Sequence, residues 1–470
     1  MTEFLMSYNE LSHAIGAKLF FWEGKHAEPG SGFSSISIDS RAVKEQGLFV
    51  ALIGETQDGH RYVEDAFKAG ASGALVALSA LEDASLSLLA LAEKWKRVLV
   101  AVDDTLKALQ NAAKAYLKKF TQLLRIGITG SAGKTTTKEI AAAMIAQEKR
   151  VIMNQGNLNS ETGLPLSVFE VRSHHEVGVF EAGINRAGEM SALAEILNPH
   201  IALITNIGSA HIGILGSRDN IAEEKKKIFS FFTGENTALI PAEDDYRDFL
   251  ARDVKGHAVF YDASALAPLG PVQDMGLEGS EIVWDGEAVH FALPGKVNLR
   301  NALSAAALAH ELGLSPASVR KGFESAKPLF GRGEIFHGRT TLIRDCYNSN
   351  PESAEAAVDF CDSLEWPGRR VYVMGSMLEQ GALCREAHAA LGKRLKSSNA
   401  EKVFLYGEEM GAAAEALGDK PNYHSIDKNE LRKALDEYIK EGDLVLLKAS
   451  RGCALETLTE VFIGRGGDVF

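Results

Sequence analysis

Residues 126–136, IGITGSAGKTT, constrain this chain more than any other stretch. An apolar run enters two closely spaced glycines, and a helix-compatible run follows. That order describes a buried strand, a tight turn and a helix start, which is the context of a phosphate-binding loop. Small residues let main-chain N–H groups turn inward around phosphate oxygens, and the helix N-terminus adds its dipole. Lys134 would reach the β- and γ-phosphates, and the Thr135 hydroxyl would ligate Mg²⁺. The longer form of the motif has glycine where Ile128 stands, so the match is to T-G-x-x-G-K-T. Gly130, Ser131, Ala132, Gly133, Lys134, Thr135 and Thr136 are therefore the candidate phosphate-binding residues. Kinase, GTPase and ligase all remain open on this motif alone.

The surrounding pattern predicts an α/β protein. At roughly 100–200 residues per domain, 470 residues make about three domains. Short strand signals and a helix near 33–80, with another strand at 98–102, give a small α/β unit over 1–103. An amphipathic helix is expected at 104–120. From 104 to 327, strands at 123–129, 151, 177–181, 201–205 and 237–240 alternate with helical stretches. They include helices at 135–147 and 297–312, which implies a parallel, doubly wound sheet. The stretch 254–293 is Gly-rich with short strand signals. From 328 to 470 the alternation restarts, with strands at 341–345, 370–374, 402–406 and 444–448, as a second, Rossmann-like parallel α/β domain.

Composition narrows the function classes. Lys and Arg number 50 against 63 Asp and Glu, for a formal net charge of −13. Such a field repels polyanions and argues against a nucleic-acid coat protein or a binder of anionic membranes. Four cysteines, Cys346, Cys361, Cys384 and Cys453, form no C-x-x-C pair. They are too sparse for a disulfide scaffold or a structural zinc site and fit a reducing compartment. The first 22 residues lack a basic segment followed by an apolar core, so no signal peptide is expected. The longest weakly polar stretch, 201–216, carries Asn206, Ser209, His211 and three glycines and makes a poor membrane span. A cytoplasmic protein without membrane insertion is expected.

Three residues outside the loop are candidates of unequal strength. Glu181 ends the strand signal VGVFE, at the carboxyl edge where ligands sit in open α/β sheets, and would complete a Mg²⁺ shell begun by Thr135. His211 follows a strand signal in the turn GSAHIG, and a lone loop histidine is more often structural than a ligand. Lys225 lies in IAEEKKKIF, which reads as a solvated helix face. Periodicity does not separate Lys225 from Lys226 and Lys227.

Taken in order, the motifs resemble the ATP-dependent Mur ligases of peptidoglycan synthesis over nearly the whole chain. IDSR (38–41) and GLFVALIGETQDGH (47–60) look like that family's UDP-binding domain. GNLNSETGLPL (156–166), EAGIN (181–185), IGSAHIG (207–213), IAEEKKKIF (221–229) and PGKVNLRNALSAA (294–306) look like its central domain. GRGEIF (331–336), DCYNSNP (345–351), MGSMLEQG (374–381) and LLKASRG (446–452) look like its third domain. DCYNSNP and MGSMLEQG resemble the branch that joins D-alanyl-D-alanine to a UDP-N-acetylmuramoyl tripeptide. The sister branch that adds the preceding residue typically has D-Y-A-H-T-P at the first of these places.

The resemblance implies an ATP-dependent peptide ligase working through an acyl phosphate, with ATP and Mg²⁺ as cofactors; a monomer is expected, although the sequence carries no signal of oligomeric state. It places Thr135, Glu181, His211 and Lys225 at metal ions, with the lysine matching Lys225 carbamylated in the family. It places Lys134, His211 and Lys225 at the chemistry. Asn298 and Asn301 match residues near the adenine, and Arg332 and Asp345 match nucleotide contacts from a third domain that closes on ATP. Ser40 and Arg41 match the uridine-diphosphate end of the acid substrate, and Asn157, Asn159 and Asn185 match its peptide loops. Tyr347, Asn348 and Asn350 match the region facing the amine substrate, and Lys448, Ser450 and Arg451 a further cluster. The chain departs from the family at Val297, where a histidine is common, at Ser376, where aspartate is usual, and at Ser160, where asparagine is usual. The sister branch, a folylpolyglutamate synthase and a non-catalytic P-loop binding module are the competing readings.

Overall fold

The computed structural model describes residues 4–21, 31–464 and 468–469. The outermost residues of the first and third expected domains, 1–3 and 470, lie outside them. The alternating strand and helix signals fold into three α/β sheets. In the first, Ser35–Ser37, Gly47–Val50, Gly73–Ala77 and Val98–Val102 run parallel, and Lys18–Phe20 closes the edge antiparallel. The helix expected at 104–120 spans Thr105–Leu117, because Asp104 caps it by accepting the Lys107 N–H at 2.9 Å. Its apolar face, Leu109, Ala113 and Leu117, joins one continuous core from the first sheet to the helices beneath the second.

The second sheet has six strands, all parallel. Their spatial order is His257–Tyr261, Thr237–Pro241, Ile201–Ile204, Leu124–Thr129, Val177–Glu181 and Val151–Met153. Successive side chains of a strand point to opposite faces. Ile126 and Ile128 accordingly bury against the Ala-rich helix Gly295–Glu311 and the helix Lys134–Ile145. Ala202, Ile204 and Phe180 bury on the other face. The register sets Glu181 beside Ile128 and Ile204 beside Thr129. Three strand ends therefore share one edge of the sheet.

The Gly-rich stretch at 254–293 contributes the edge strand His257–Tyr261 and a three-stranded antiparallel sheet, Leu269–Asp274, Ser280–Trp284 and Glu287–Phe291. Trp284 and Phe291 pack edge-on against Phe323 of the helix Pro316–Glu324. The third large sheet has seven strands. Its five central and outer strands, Asn422–Ser425 through Thr341–Asp345, are parallel. Glu334–His337 and Asp468–Val469 extend it antiparallel. Among the described residues, no helix is long and apolar enough to cross a membrane.

Candidate active site

The strand Leu124–Thr129 delivers its chain into the tight turn that the glycines foretell. Gly130 has φ +149° and Gly133 φ +81°, in the region that favours glycine. A Cβ on Gly130 would stand 1.9 Å from Thr205 Oγ1, and one on Gly133 would stand 2.1 Å from Asn301 Oδ1. The turn is tied to the next strand end. The Ser131 N–H donates to the Asn206 carbonyl at 3.0 Å, and the Ala132 N–H donates to Asn206 Oδ1 at 2.9 Å. Thr205 Oγ1 donates to the Ala132 carbonyl at 2.6 Å. The 12-residue helix Lys134–Ile145 then starts at the turn, with Thr135 and Thr136 in its first turn. Lys134 Nζ donates back to the Gly130 carbonyl at 2.9 Å. Burial lowers the Lys134 pKa; Glu181 opposes that shift and Arg332 adds to it. Both residues are therefore electrostatic neighbours of the loop lysine.

Glu181 lies buried at its strand end. Its Oε1 accepts from Asn159 Nδ2 at 2.6 Å, while its buried Oε2 has no hydrogen-bond partner. An unpartnered buried carboxylate oxygen is costly unless a cation or donor meets it. Among the described residues there is no cluster of three or more His, Cys, Asp or Glu that could hold a metal unaided. Mg²⁺ takes one or two carboxylates and completes its shell from substrate phosphates and water. Thr135, Glu181 and the phosphate turn are a donor set of this kind.

The structure separates the three lysines that periodicity left equivalent. Lys226 reaches the carbonyls of Phe249 and Arg252 at 2.7 and 2.6 Å, and Lys227 pairs with Glu224 at 2.6 Å. Of the three, Lys225 alone is fully buried, and it is not among the residues that line the cleft. Burial first, and then the charge of Lys134, hold its pKa well below the ordinary lysine range, with Glu224 and Glu181 opposing.

A cleft of about 750 Å³ gathers most of the remaining candidates. The second sheet contributes the phosphate turn, Asn157, Asn159, Ser160, Glu181, Asn185 and His211; the long helix adds Val297, Asn298 and Asn301. The third sheet supplies Arg332, Asp345, Tyr347, Asn348, Asn350, Lys448 and Arg451. The Arg332 guanidinium lies 4.1 Å from the Tyr347 ring centroid, a cation–π stack. Lys448 Nζ binds Asp345 Oδ2 at 3.0 Å and the Asn348 carbonyl at 2.5 Å. Asn350 Oδ1 accepts the Ser353 N–H at 2.9 Å, so this asparagine caps the helix Pro351–Ser363. Ser40 and Arg41 are not on this cleft; Ser40 is buried in the first domain and exposed Arg41 pairs with Asp39.

Three contributors lacked a sequence signal strong enough to be chosen. Asn206, two residues past the end of the strand Ile201–Ile204, holds the phosphate turn. Glu352 and Glu379 come from the third domain. Glu352 accepts the Ser209 N–H at 2.9 Å and its hydroxyl at 2.7 Å. Glu379 Oε2 lies 2.7 Å from His211 Nδ1, and its carbonyl accepts the Gly213 N–H at 2.9 Å. The departures also find places. Ser376 Oγ donates to Glu409 at 2.6 Å away from the cleft, and Ser160 Oγ accepts the Gly163 N–H at 3.2 Å at a helix start.

Comparison with known proteins agrees with this geometry. Family descriptions match in three blocks: the Mur ligase family, catalytic domain at residues 32–117, the Mur ligase middle domain at 128–309, and the Mur ligase, glutamate ligase domain at 331–451. The chain belongs to the Mur ligase family. Among relatives of this Mur ligase, the UDP-N-acetylmuramoyl-tripeptide–D-alanyl-D-alanine ligase of Treponema pallidum is 42% identical, covering 97% of this chain and 98% of that one. The Bacillus subtilis protein of the same name is 34% identical, over 91% and 93%. A crystal structure of MurF from Acinetobacter baumannii superposes with a TM-score of 0.85 at 26% identity, covering 98% and 99%. MurF of Thermotoga maritima in complex with ADP gives 0.75 at 26% identity, covering 91% and 96%.

The tight packing of the turn on Asn301 generates a test. Gly133→Ala drives a methyl group into Asn301 and strains a positive φ, so nucleotide affinity is expected to fall about tenfold or more by fluorescent-ADP titration.

Proposed function

We propose that this Mur ligase joins D-alanyl-D-alanine to a UDP-N-acetylmuramoyl tripeptide, with ATP hydrolysed to ADP and phosphate, in bacterial cell-wall synthesis. The observation that carries the reading is the single cleft that faces a phosphate turn and Glu181 on one side and Arg332, Asp345 and Tyr347 on the other. The relatives that match over nearly the full chain bear the name of this reaction. In this reading residues 1–103 bind the UDP end through Ser40 and Arg41, 104–327 bind ATP, and 328–470 close on ATP and the amine substrate. The protein acts as a cytoplasmic monomer.

The chemistry follows from the substrates. A carboxylate is a poor electrophile, and an amine does not displace oxide from it. Transfer of the γ-phosphoryl group to the tripeptide carboxylate gives an acyl phosphate, and the dipeptide amine attacks its carbonyl carbon. The tetrahedral intermediate collapses with loss of inorganic phosphate. Two anions must first approach within bonding distance, so the chain's work is mainly positioning and charge neutralisation. Lys134 and the turn's N–H groups hold the phosphates, and Arg332, over the Tyr347 ring, adds a cation from the opposite wall. Asn298 and Asn301 face the base, Asn157, Asn159 and Asn185 face the peptide, and Asn348 and Asn350 face the amine side. The third domain's hold on the Ser209–Gly213 loop, through Glu352 and Glu379, keeps water away from the acyl phosphate.

Thr135, Glu181, His211 and a carbamylated Lys225 would hold Mg²⁺, which would supply further neutralisation of the phosphate charge. The unpartnered Glu181 oxygen supports this assignment. The depressed pKa of Lys225 favours its uncharged amine, the form that adds carbon dioxide to give a carbamate and a proton. Electron density at Lys225 Nζ in crystals grown with Mg²⁺ and nucleotide is expected to show the added carboxylate; a bare ammonium beside bound metal contradicts the assignment.

Phosphate release from ATP is expected to require both the tripeptide nucleotide and D-alanyl-D-alanine, and Lys134→Ala is expected to lower turnover by about 10²-fold or more. Turnover with meso-diaminopimelate in place of the dipeptide would assign the chain to the sister branch. Unchanged turnover in Lys134→Ala would remove the phosphate-turn assignment.

A further inference from the structure

The strand Val177–Glu181 outlasts its neighbour. Val151–Met153 pairs with it as far as Val179, and beyond that point the edge at Glu181 faces no strand. A side chain takes over the ladder there. Asn154, fully buried, accepts the Glu181 N–H at 2.9 Å through Oδ1 and donates through Nδ2 to the Glu181 carbonyl at 3.0 Å. A primary amide offers the same acceptor and donor pair as a peptide group, so one asparagine satisfies both main-chain groups of Glu181 on that side. The same Nδ2 also donates to the Leu158 carbonyl at 2.9 Å, which anchors the loop carrying Asn159. Asn159 in turn sets the Glu181 carboxylate through Oε1 and leaves Oε2 unpartnered.

The main-chain carbonyl of Asn154 has a partner of its own. Lys138 Nζ donates to it at 2.6 Å and lies 3.1 Å from Glu139 Oε1, with no exposed side-chain surface. Lys138 stands one helical turn after Lys134 on the same helix. A buried ammonium costs more than an apolar side chain of equal length. What the charge adds is a short, directed bond between the phosphate-loop helix and the strand end.

We infer that Lys138 and Asn154 are positioning residues for the metal-binding carboxylate, locking Glu181 to the helix that carries Lys134. The spacing between the phosphate lysine and the carboxylate is then set before any ligand arrives. The inference rests on the reading of Glu181 as a Mg²⁺ ligand, and the experiment separates the two.

Mn²⁺ binding is measured by electron paramagnetic resonance on the full-length protein with a non-hydrolysable ATP analogue, beside thermal melting and steady-state kinetics. Asn154→Ala and Lys138→Met are expected to weaken Mn²⁺ binding by about 10–100-fold. The Mg²⁺ concentration for half-maximal rate rises in step, and the KM for the amine substrate stays unchanged. Lys138→Met keeps the side-chain volume, so it decides the matter should Asn154→Ala fail to fold. Glu181→Gln provides the reference. If it loses Mn²⁺ while folded Lys138→Met and Asn154→Ala bind Mn²⁺ as the parent does, the brace is overturned and the metal assignment stands. If Glu181→Gln itself binds Mn²⁺ normally, the metal assignment falls and the brace with it. Equal losses in Mn²⁺ affinity and amine KM would mark a general structural role and also overturn it.

Discussion

The parallel register at the centre of the second sheet is the constraint on which the rest of the site depends. Glu181 stands beside Ile128 and Ile204 beside Thr129, so three strands end together. The phosphate turn, the carboxylate and the Asn206–His211 loop emerge from those ends as neighbours. Each is then held by its neighbour rather than by itself: Asn206 closes the turn, and Asn154 continues the ladder to Glu181. A one-residue slip of Val177–Glu181 would move Val179 out of its core face and turn the carboxylate away from the turn.

A site built on one sheet edge is open to water on its far side, and the third domain covers it. Two glutamates make that contact, Glu352 on Ser209 and Glu379 on His211 and Gly213. The same domain brings Arg332 into the electrostatic neighbourhood of Lys134. Cations are therefore concentrated inside a chain whose formal net charge is −13. The surplus negative charge is a property of the whole surface. Anionic substrates meet local fields instead: helix and turn N–H groups, Lys134 and Arg332.

What was legible in the sequence was local. The turn at Gly130–Gly133 declares itself because only glycine fits there: a Cβ would stand 1.9 Å from Thr205 at the first position and 2.1 Å from Asn301 at the second. The parallel sheets were legible because buried strands and their helices differ in period. Residues whose role depends on distant partners were not. Lys225 shares its composition with Lys226 and Lys227, and only packing buries one of the three. Asn154 reads as an ordinary polar residue after a short strand, since its partner lies 27 positions away. Glu379 sat inside a recognised motif, yet its contact with His211 exists only once two domains meet. The departures at Ser376 and Ser160 proved local as well, one engaging Glu409 and the other a helix start.

The central claim is that this cleft brings a carboxylate and a γ-phosphoryl group together to form an acyl phosphate. The most direct test follows oxygen. With the tripeptide's reacting carboxylate labelled with ¹⁸O, turnover with ATP and D-alanyl-D-alanine should release inorganic phosphate carrying one labelled oxygen per peptide bond formed. Unlabelled phosphate released alongside ligated product would contradict the account.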